Sequence, residues 1–551
     1  MTFIKKYHFF LFLTAWTLVN FFQAANTVLL NDEAYYWAYS NFLDWGYFDH
    51  PPMIAALIKA GFFLFHNELG VRFFILILNT LTIVVVYNLL PRRNDRLFYA
   101  IVCSIGVLQI GGFIAVPDIP LIFFVALFFL VYKNFIASPS WVNTVLLGII
   151  MALMLYSKYH GVLIILFTLI SNPALLKNAR AYVAVLIAAL LFVPHIYWEY
   201  QHGFPSVQYQ LIERNESLYR LKYPVEYVVG QIFMAGPFVG WILLGGALKY
   251  QSINLFERAL KFSLAGIYVF FLISTIKGNV EANWTVPVLI PLIVLSHQYF
   301  YNKKTWQRIL IYTVPLTLAL VFFLRFYLIT ENKFIKVLNT NEFEQNKKWS
   351  QKIKTLSGGL PVVFINSYQK ASKYWFYSGT ESFSLNAPDY RRNNYNFWPI
   401  EKSMQGKSVY VMYPDNPLYF TDSIRTPAGI LRGRRVDSFY SYSGVELKLK
   451  NNLIVNQQRN MIASVIVKNA DTKELYALSG KLELNIFQQD EFIRSYELLP
   501  SNIDTTAKII SGTSSEQVFL PAGKYLVKLA ISSRLPGYPT LNSTHFKLVV
   551  D

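Results

Sequence analysis

The chain has 551 residues, of which 54% are hydrophobic and only 15% charged, where a soluble domain carries roughly 25% charge; a protein bathed in water on all sides is excluded. Its net charge of +18 is split into short clusters between apolar runs, among them Arg92-Arg93 with Arg96, Lys177 with Arg180 and Lys303-Lys304 with Arg308. That is the pattern of cytoplasmic loops, and no compact basic-aromatic module for nucleic acid is present. The one cysteine, Cys103, rules out an intrachain disulfide and a cysteine zinc site.

Apolar runs approaching the roughly 20 residues of a bilayer span fall at about 8–30, 70–90, 97–116, 119–136, 141–157 and 160–174, then at about 181–198, 228–247, 260–276, 285–300 and 309–329. The expected fold is therefore a multi-pass α-helical membrane protein with about eleven transmembrane helices. The first run follows Lys5-Lys6 and has the outline of a signal peptide. A distinctive motif begins immediately after it, so it is read as a retained helix. With Lys5-Lys6 inside and an odd number of spans, the C-terminus lies outside. The segments 31–69, 117–118, 199–227 and 277–284 then share the outer face, and they hold almost every acidic residue of the membrane half.

Beyond residue 330 the apolar periodicity gives way to mixed polar sequence. A buried strand is expected over 361–366, a helix over 367–377 capped by Ser367, and a second strand over 408–413. Short alternating runs recur from about 430, at 445–449, 463–467, 481–486 and 525–530. The expected division is a membrane domain over 1–330, a small extracytoplasmic α/β region over 331–425 and a β-sandwich over 426–551.

The outer segments carry the chemistry. The first reads Asn31-Asp-Glu-Ala-Tyr-Tyr-Trp-Ala-Tyr-Ser40, then Asp44-Trp-Gly-Tyr-Phe-Asp-His-Pro-Pro-Met53. Tyr35, Tyr36 and Tyr39 recur at helical spacing, which predicts an amphipathic helix on the bilayer surface with Asp32 at its start, near a lipid headgroup. Asp118 sits in the tight turn Val116-Pro-Asp-Ile-Pro120, and Lys158 in Ser157-Lys-Tyr-His160. Lys277 and Glu281 belong to Lys277-Gly-Asn-Val-Glu-Ala-Asn-Trp284. Ionisable groups beside membrane spans are costly and mark function, and a shared face allows these to converge.

These motifs resemble the dolichyl-phosphate-mannose:protein mannosyltransferase-like glycosyltransferases, which have the glycosyltransferase C fold and include the bacterial lipid A aminoarabinose transferases. The resemblance covers roughly residues 8–330 and speaks to family rather than substrate. It implies inverting transfer of a monosaccharide from a polyprenyl-phosphate carrier to a lipid, glycan or protein acceptor, outside a bacterial inner membrane. Asp32 matches the essential first-loop acid, the candidate base or acceptor-orienting carboxylate, and Asp118 the second acid. Asp49-His50-Pro51-Pro52 stands where some relatives have Glu-Lys-Pro-Pro, so His50 departs from a phosphate-binding lysine.

Phosphate is a good leaving group, so cations that stabilise its developing charge matter most. Lys158 is the first candidate, with His50 and Arg72 behind it; Arg72 also reads as a helix-end anchor. Glu33, Asp49, Lys277 and Glu281 are supporting residues. No cofactor is demanded; a divalent metal would find hard ligands in Asp32, Asp118 and His50. The rival reading is a transporter or lipid flippase, which would show broken helices or a repeat between halves.

Overall fold

The computed structural model describes residues 2–138, 140–211, 219–330, 346–413, 420–426, 429–455, 459–488, 491–533, 535 and 537–550. The chain forms two compact units, Met1–Asn339 and Thr340–Asp551.

The first unit is helical. It opens with α1 (Thr2–Asn26), α2 (Asn31–Asn41), α3 (Met53–Leu64), α4 (Glu68–Leu89), α5 (Asp95–Ser104) and α6 (Gly106–Ile110). Then come α7 (Asp118–Ala137), α8 (Trp141–Ser157), α9 (Gly161–Ser171), α10 (Ala179–Gln201) and α11 (Pro205–Leu211). It closes with α12 (Lys222–Ala235), α13 (Gly240–Lys249), α14 (Leu255–Ser274), α15 (Leu289–Phe300) and α16 (Lys304–Thr330). Asn67, Asn94, Ser140, Asn178 and Asn254 cap α4, α5, α8, α10 and α14, each accepting a backbone N–H of the first turn.

All eleven apolar runs are largely helical, and the unit is built to be embedded in a membrane. Among the described residues, five helices are long and apolar enough to cross a bilayer, or seven if each of two bent pairs is one span. The expectation of about eleven exceeds this because hydropathy counts short and broken helices as spans; α9, for example, has 11 residues. The run at 97–116 bends by 77° between α5 and α6, and that at 228–247 by 91° between α12 and α13. The second bend has a plain cause: Gly236 adopts φ +147, which side chains disfavour, and Pro237 has no N–H to continue the ladder.

Helix α2 corrects a second expectation. Glu33 to Ser40 are all buried, so the helix has no polar face to offer water and is packed inside the protein rather than lying on a bilayer. Aromatic residues on several sides of the helix, not one stripe, make this so. Asp32 stands in the first turn and remains exposed.

The second unit holds two sheets. Helix α17 (Asn346–Leu356) precedes β1 (Val362–Ile365), α18 (Tyr368–Ser378), β2 (Ser382–Leu385), α19 (Ile400–Met404) and β3 (Val409–Tyr413). Strands β4 (Asp422–Thr426) and β5 (Gly429–Val436) complete a five-stranded sheet of order β2-β1-β3-β5-β4. Ser367 caps α18 as expected. Because β5 pairs with β3, Val411 opposite Arg434, the boundary expected at 425/426 falls inside the β4–β5 hairpin. The α/β region runs to Val436; its expected start, 331–345, lies outside the described residues.

Strands β6 (Glu446–Leu449), β7 (Ile454–Val455) and β8 (Met461–Lys468), helix α20 (Thr472–Ser479) and strands β9 (Leu482–Gln488) to β13 follow, with β10 (Glu491–Asp504), β11 (Ile509–Ser514), β12 (Gly523–Ile531) and β13 (Thr540–Val550). They form an eight-stranded antiparallel sheet of order β13-β12-β9-β10-β11-β8-β6 with β7 beside β8. The long β10 pairs with β9 through its first half and β11 through its second. Strand β6 packs on β12 and β13, so the sheet closes over a core that includes Leu447, Val465, Ile486, Tyr496 and Val527.

Glu401 of α19 ties the two sheets together. Its buried carboxylate accepts from the Ser441 hydroxyl, from Ser443 N at 2.8 Å and from Gly444 N at 3.2 Å. Burial holds its carboxyl above the usual range, and these hydrogen bonds pull the other way. A raised folded pKa means that stability falls as pH rises from the ordinary value of 4.5 through the folded value. Thermal unfolding of the full chain in detergent should show that slope, and Glu401→Gln should flatten it. Parallel pH curves for the two proteins would count against this assignment.

Candidate functional site

The site is organised by one buried ion pair. Arg72 on α4 and Glu33 on α2 have fully buried side chains with 0% exposure. Arg72 Nε donates to Glu33 Oε1 at 2.7 Å and one Nη to Oε2 at 2.5 Å. The remaining N–H groups reach the carbonyls of Ala24, Thr27 and Val28 at 2.9, 2.6 and 3.0 Å. All five guanidinium donors are thereby engaged. Arg72, expected as a phosphate contact, is instead the anchor of the α1–α2 junction; the carbonyls left open at the end of α1 need donors, and Arg72 supplies them. Glu33 in turn accepts from Leu30 N at 2.9 Å and Ala115 N at 2.8 Å. One carboxylate therefore fixes both the start of α2, which carries Asp32, and the turn that leads to Asp118.

Asp118 opens α7, where the helix dipole favours a carboxylate. Lys158 closes α8. Forty positions apart in sequence, they meet with Nζ 2.8 Å from Oδ1, both side chains less than a tenth exposed. Asp118 also lines a cavity of about 450 Å³, whose other polar lining side chain is Asn283. The remaining walls are apolar or glycine: Val107 and Ile110 from the α5–α6 bend, Phe233 and Met234 from α12, and Leu320 and Leu324 from α16 among them. Asn283 belongs to a 3₁₀ turn, Ala282–Val288. The adjacent Trp284 ring lies 5.6 Å from that of His160, which joins the Lys158 segment to the Lys277–Trp284 segment. Lys277 and Glu281 are exposed at the start of that segment.

The loop between α2 and α3 is clamped to α10. Trp198 Nε1 donates to Asp44 at 2.9 Å, and His195 Nδ1 lies 2.7 Å from the Trp45 carbonyl. Tyr159, next to Lys158, places its hydroxyl 3.0 Å from His195 Nε2 and donates to Glu199 at 3.3 Å. His195 is thus a hydrogen-bonded residue, and so is His202, whose Nδ1 sits 2.8 Å from the Trp198 carbonyl. Asp49 accepts from the Tyr39 hydroxyl at 2.5 Å. Burial and the Asp49 charge push the Tyr39 phenol well above its usual range, so it stays a donor. His50 sits edge-on to Tyr36 at 5.4 Å.

Asp32, Asp118 and His50 do not form a metal-binding group: among the described residues no three His, Cys, Asp or Glu side chains gather around one point. Asp118 faces an ammonium instead.

Solved structures share this architecture. ArnT from Cupriavidus metallidurans bound to undecaprenyl phosphate superposes with a TM-score of 0.58, covering 78% of this chain and 98% of ArnT at 14% identity. The apo form gives 0.59 at 13% identity over the same shares. The chain has the glycosyltransferase C fold. The family model for dolichyl-phosphate-mannose-protein mannosyltransferase matches residues 49–198, a stretch that includes Asp49, His50, Arg72, Asp118 and Lys158. The lipid A galacturonosyltransferase RgtD of Rhizobium johnstonii is 24% identical over 294 residues, which is 50% of this chain and 61% of that relative.

Within the fold, sequence reasoning missed the amide of Asn283, the Tyr159–His195–Glu199 cluster and a second buried arginine, Arg325, toward the C-terminal end of an apolar run. A charge deep in an apolar helix was itself the available signal for Arg325.

Removing one partner of a buried ion pair typically costs about 3–5 kcal/mol. Arg72→Met and Glu33→Leu should each lower thermal stability in detergent by that order, while the double variant should lose less than the two losses summed. Strict additivity would show that the pair is not coupled.

Proposed function

We propose that the chain is a membrane glycosyltransferase that moves a monosaccharide from a polyprenyl-phosphate donor to a lipid acceptor. The observation that carries this reading is the cavity: an apolar chamber lined by Asp118, whose carboxylate holds the Lys158 ammonium at 2.8 Å, suits an amphiphile with an anionic head. Among the described residues the Lys158 ammonium donates only to Asp118. An ammonium has three donors, so two remain for a phosphate. ArnT's bound undecaprenyl phosphate and RgtD's naming as a lipid A transferase support a polyprenyl donor and a lipid acceptor.

In this mechanism Lys158 meets the negative charge that grows on the leaving phosphate, in a low-dielectric site where it acts strongly. Asp118 holds the ammonium in place. Asp32, exposed at the head of α2, takes the proton of the acceptor hydroxyl as its oxygen attacks the anomeric carbon. The C–O bond to phosphate breaks as the new glycosidic bond forms, so a single displacement inverts the anomeric centre. His50, beside Tyr36, is a secondary head contact, and Asn283 a hydrogen-bonding group for head or sugar. The reading places the enzyme in a bacterial inner membrane with its second unit extracytoplasmic.

The two bent helix pairs are the feature that a transporter would also show. Here the residues of the bends line a chamber with few polar groups, which favours a lipid chain over a transported solute.

A transfer assay in membranes, with a panel of radiolabelled polyprenyl-phosphate sugars, tests the proposal. Asp32→Asn should lower turnover by about 10²–10⁴-fold, the usual range for a general base, and Asp118→Asn should also cut turnover steeply. Well-folded Asp32→Asn protein that transfers sugar at the wild-type rate would remove Asp32 from the mechanism. Failure of the wild type to use any polyprenyl-linked sugar would sink the reading itself.

A further inference from the structure

The chamber owes its shape to a helix that stops where its backbone is still buried. After the break at Ile105, α6 and the 3₁₀ turn Gly111–Phe113 run at 77° to α5. Gly106, Val107, Ile110 and Gly111 of this short segment line the chamber. So short a segment cannot satisfy its own carbonyls, and in a membrane environment no water replaces them. Side chains from other helices do so. Asn79 Nδ2 of α4 donates to the Leu108 carbonyl at 3.3 Å. The buried Arg325 guanidinium of α16 donates to the Gln109 carbonyl, and to Asn20 Oδ1 of α1 at 2.6 Å. Phe113 lies with its ring centroid 5.5 Å from the Arg325 guanidinium carbon and equally far from that of Arg72.

Close packing depends on a missing side chain as well. A Cβ on Gly112 would lie 1.7 Å from Asn79 Nδ2. On the other side of the chamber, Leu320, Val321 and Leu324 belong to the turn of α16 that immediately precedes Arg325. Arg325 thus joins two walls, α16 and the broken segment, without itself lining the space.

We propose that Arg325 is a positioning residue that fixes the chamber wall against which the branched isoprenoid chain of the donor is recognised. This rests on the polyprenyl-donor reading and adds the element that selects chain shape. A rigid wall discriminates a methyl-branched chain from a straight one; a wall released from its anchor adapts to both. The proposed phosphate contact at Lys158 is common to either ligand and cancels in the comparison.

The test uses the purified full chain in detergent with three probes: undecaprenyl phosphate, farnesyl phosphate and dodecyl phosphate. Farnesyl and dodecyl chains have the same main-chain length, and only the first is branched. Binding is read from ligand-dependent thermal stabilisation. Wild type should bind farnesyl phosphate more tightly than dodecyl phosphate by about tenfold, the scale on which apolar pockets resolve small differences in shape. Arg325→Met should bring that ratio close to one. A general loss of stability would weaken both ligands together and leave the ratio unchanged, which would overturn the inference. Asn20→Ala, which removes one partner of the same guanidinium, is the milder variant should Arg325→Met fail to fold; it should shift the ratio in the same direction, and an unaltered ratio counts against the proposal. Wild type that binds undecaprenyl phosphate but does not distinguish the shorter probes refutes the role of Arg325 and leaves the donor reading standing. Wild type that binds none of the three refutes the donor reading.

Discussion

The placement of Asp32 and of the turn before Asp118 hangs on the Glu33–Arg72 pair. Burying two full charges is expensive, and the attraction between them offsets that cost only when the other donors and acceptors are satisfied. Here they are: the guanidinium spends its five N–H groups on one carboxylate and three carbonyls, and the carboxylate accepts two backbone N–H groups besides. The guanidinium keeps no N–H group in reserve. The pair's consequence is geometric, because the atoms it holds are one residue from Asp32 and three from Asp118. Two acids that are 86 positions apart by number (118 less 32) are thereby referred to a single fixed point.

The second ion pair follows a different logic. Asp118 lines the chamber from the start of α7, Lys158 pairs with it from the end of α8, and only one ammonium donor is committed among the described residues. In the proposed mechanism the carboxylate lowers the cost of keeping a cation there while no anion is bound, and it leaves the lysine able to serve a phosphate when one arrives. The first pair is saturated and structural; the second is unsaturated. That difference in hydrogen-bond accounting, rather than burial or charge, separates the frame from the chemistry.

Much of this was legible in the residues. The acids of the first outer loop, the Pro-Asp-Ile-Pro turn and the Ser-Lys-Tyr segment were recognisable because a charge beside an apolar run is conspicuous. The strand at 361–366 and the Ser367 cap followed from local pattern. What stayed hidden were facts of packing. Tyr35, Tyr36 and Tyr39 repeat with the spacing of a one-sided helix, yet α2 is buried all around, because its neighbours, not its own periodicity, decide what it faces. The division of the soluble half near 425 failed for a similar reason: β5 pairs backward with β3, and register between distant strands leaves no local mark. Arg72 could be seen as either a phosphate ligand or an anchor, and only the count of its partners decides between them.

The broken helices show why a chamber of this kind has a buried cation behind its wall. A helix running straight through lipid satisfies its own backbone and leaves no concavity. Bending it opens a space and releases carbonyls, so each gain in cavity requires donors from elsewhere. Arg325 and Asn79 meet that requirement on the α6 side, and Gly236 with Pro237 makes the opposing bend at α12. The walls can then remain apolar, as the proposed lipid donor requires, because the polar cost of the bend is settled behind them. On this view the arginine behind the wall and the acid at its end are parts of one device: the first makes the space, and the second gives it a direction.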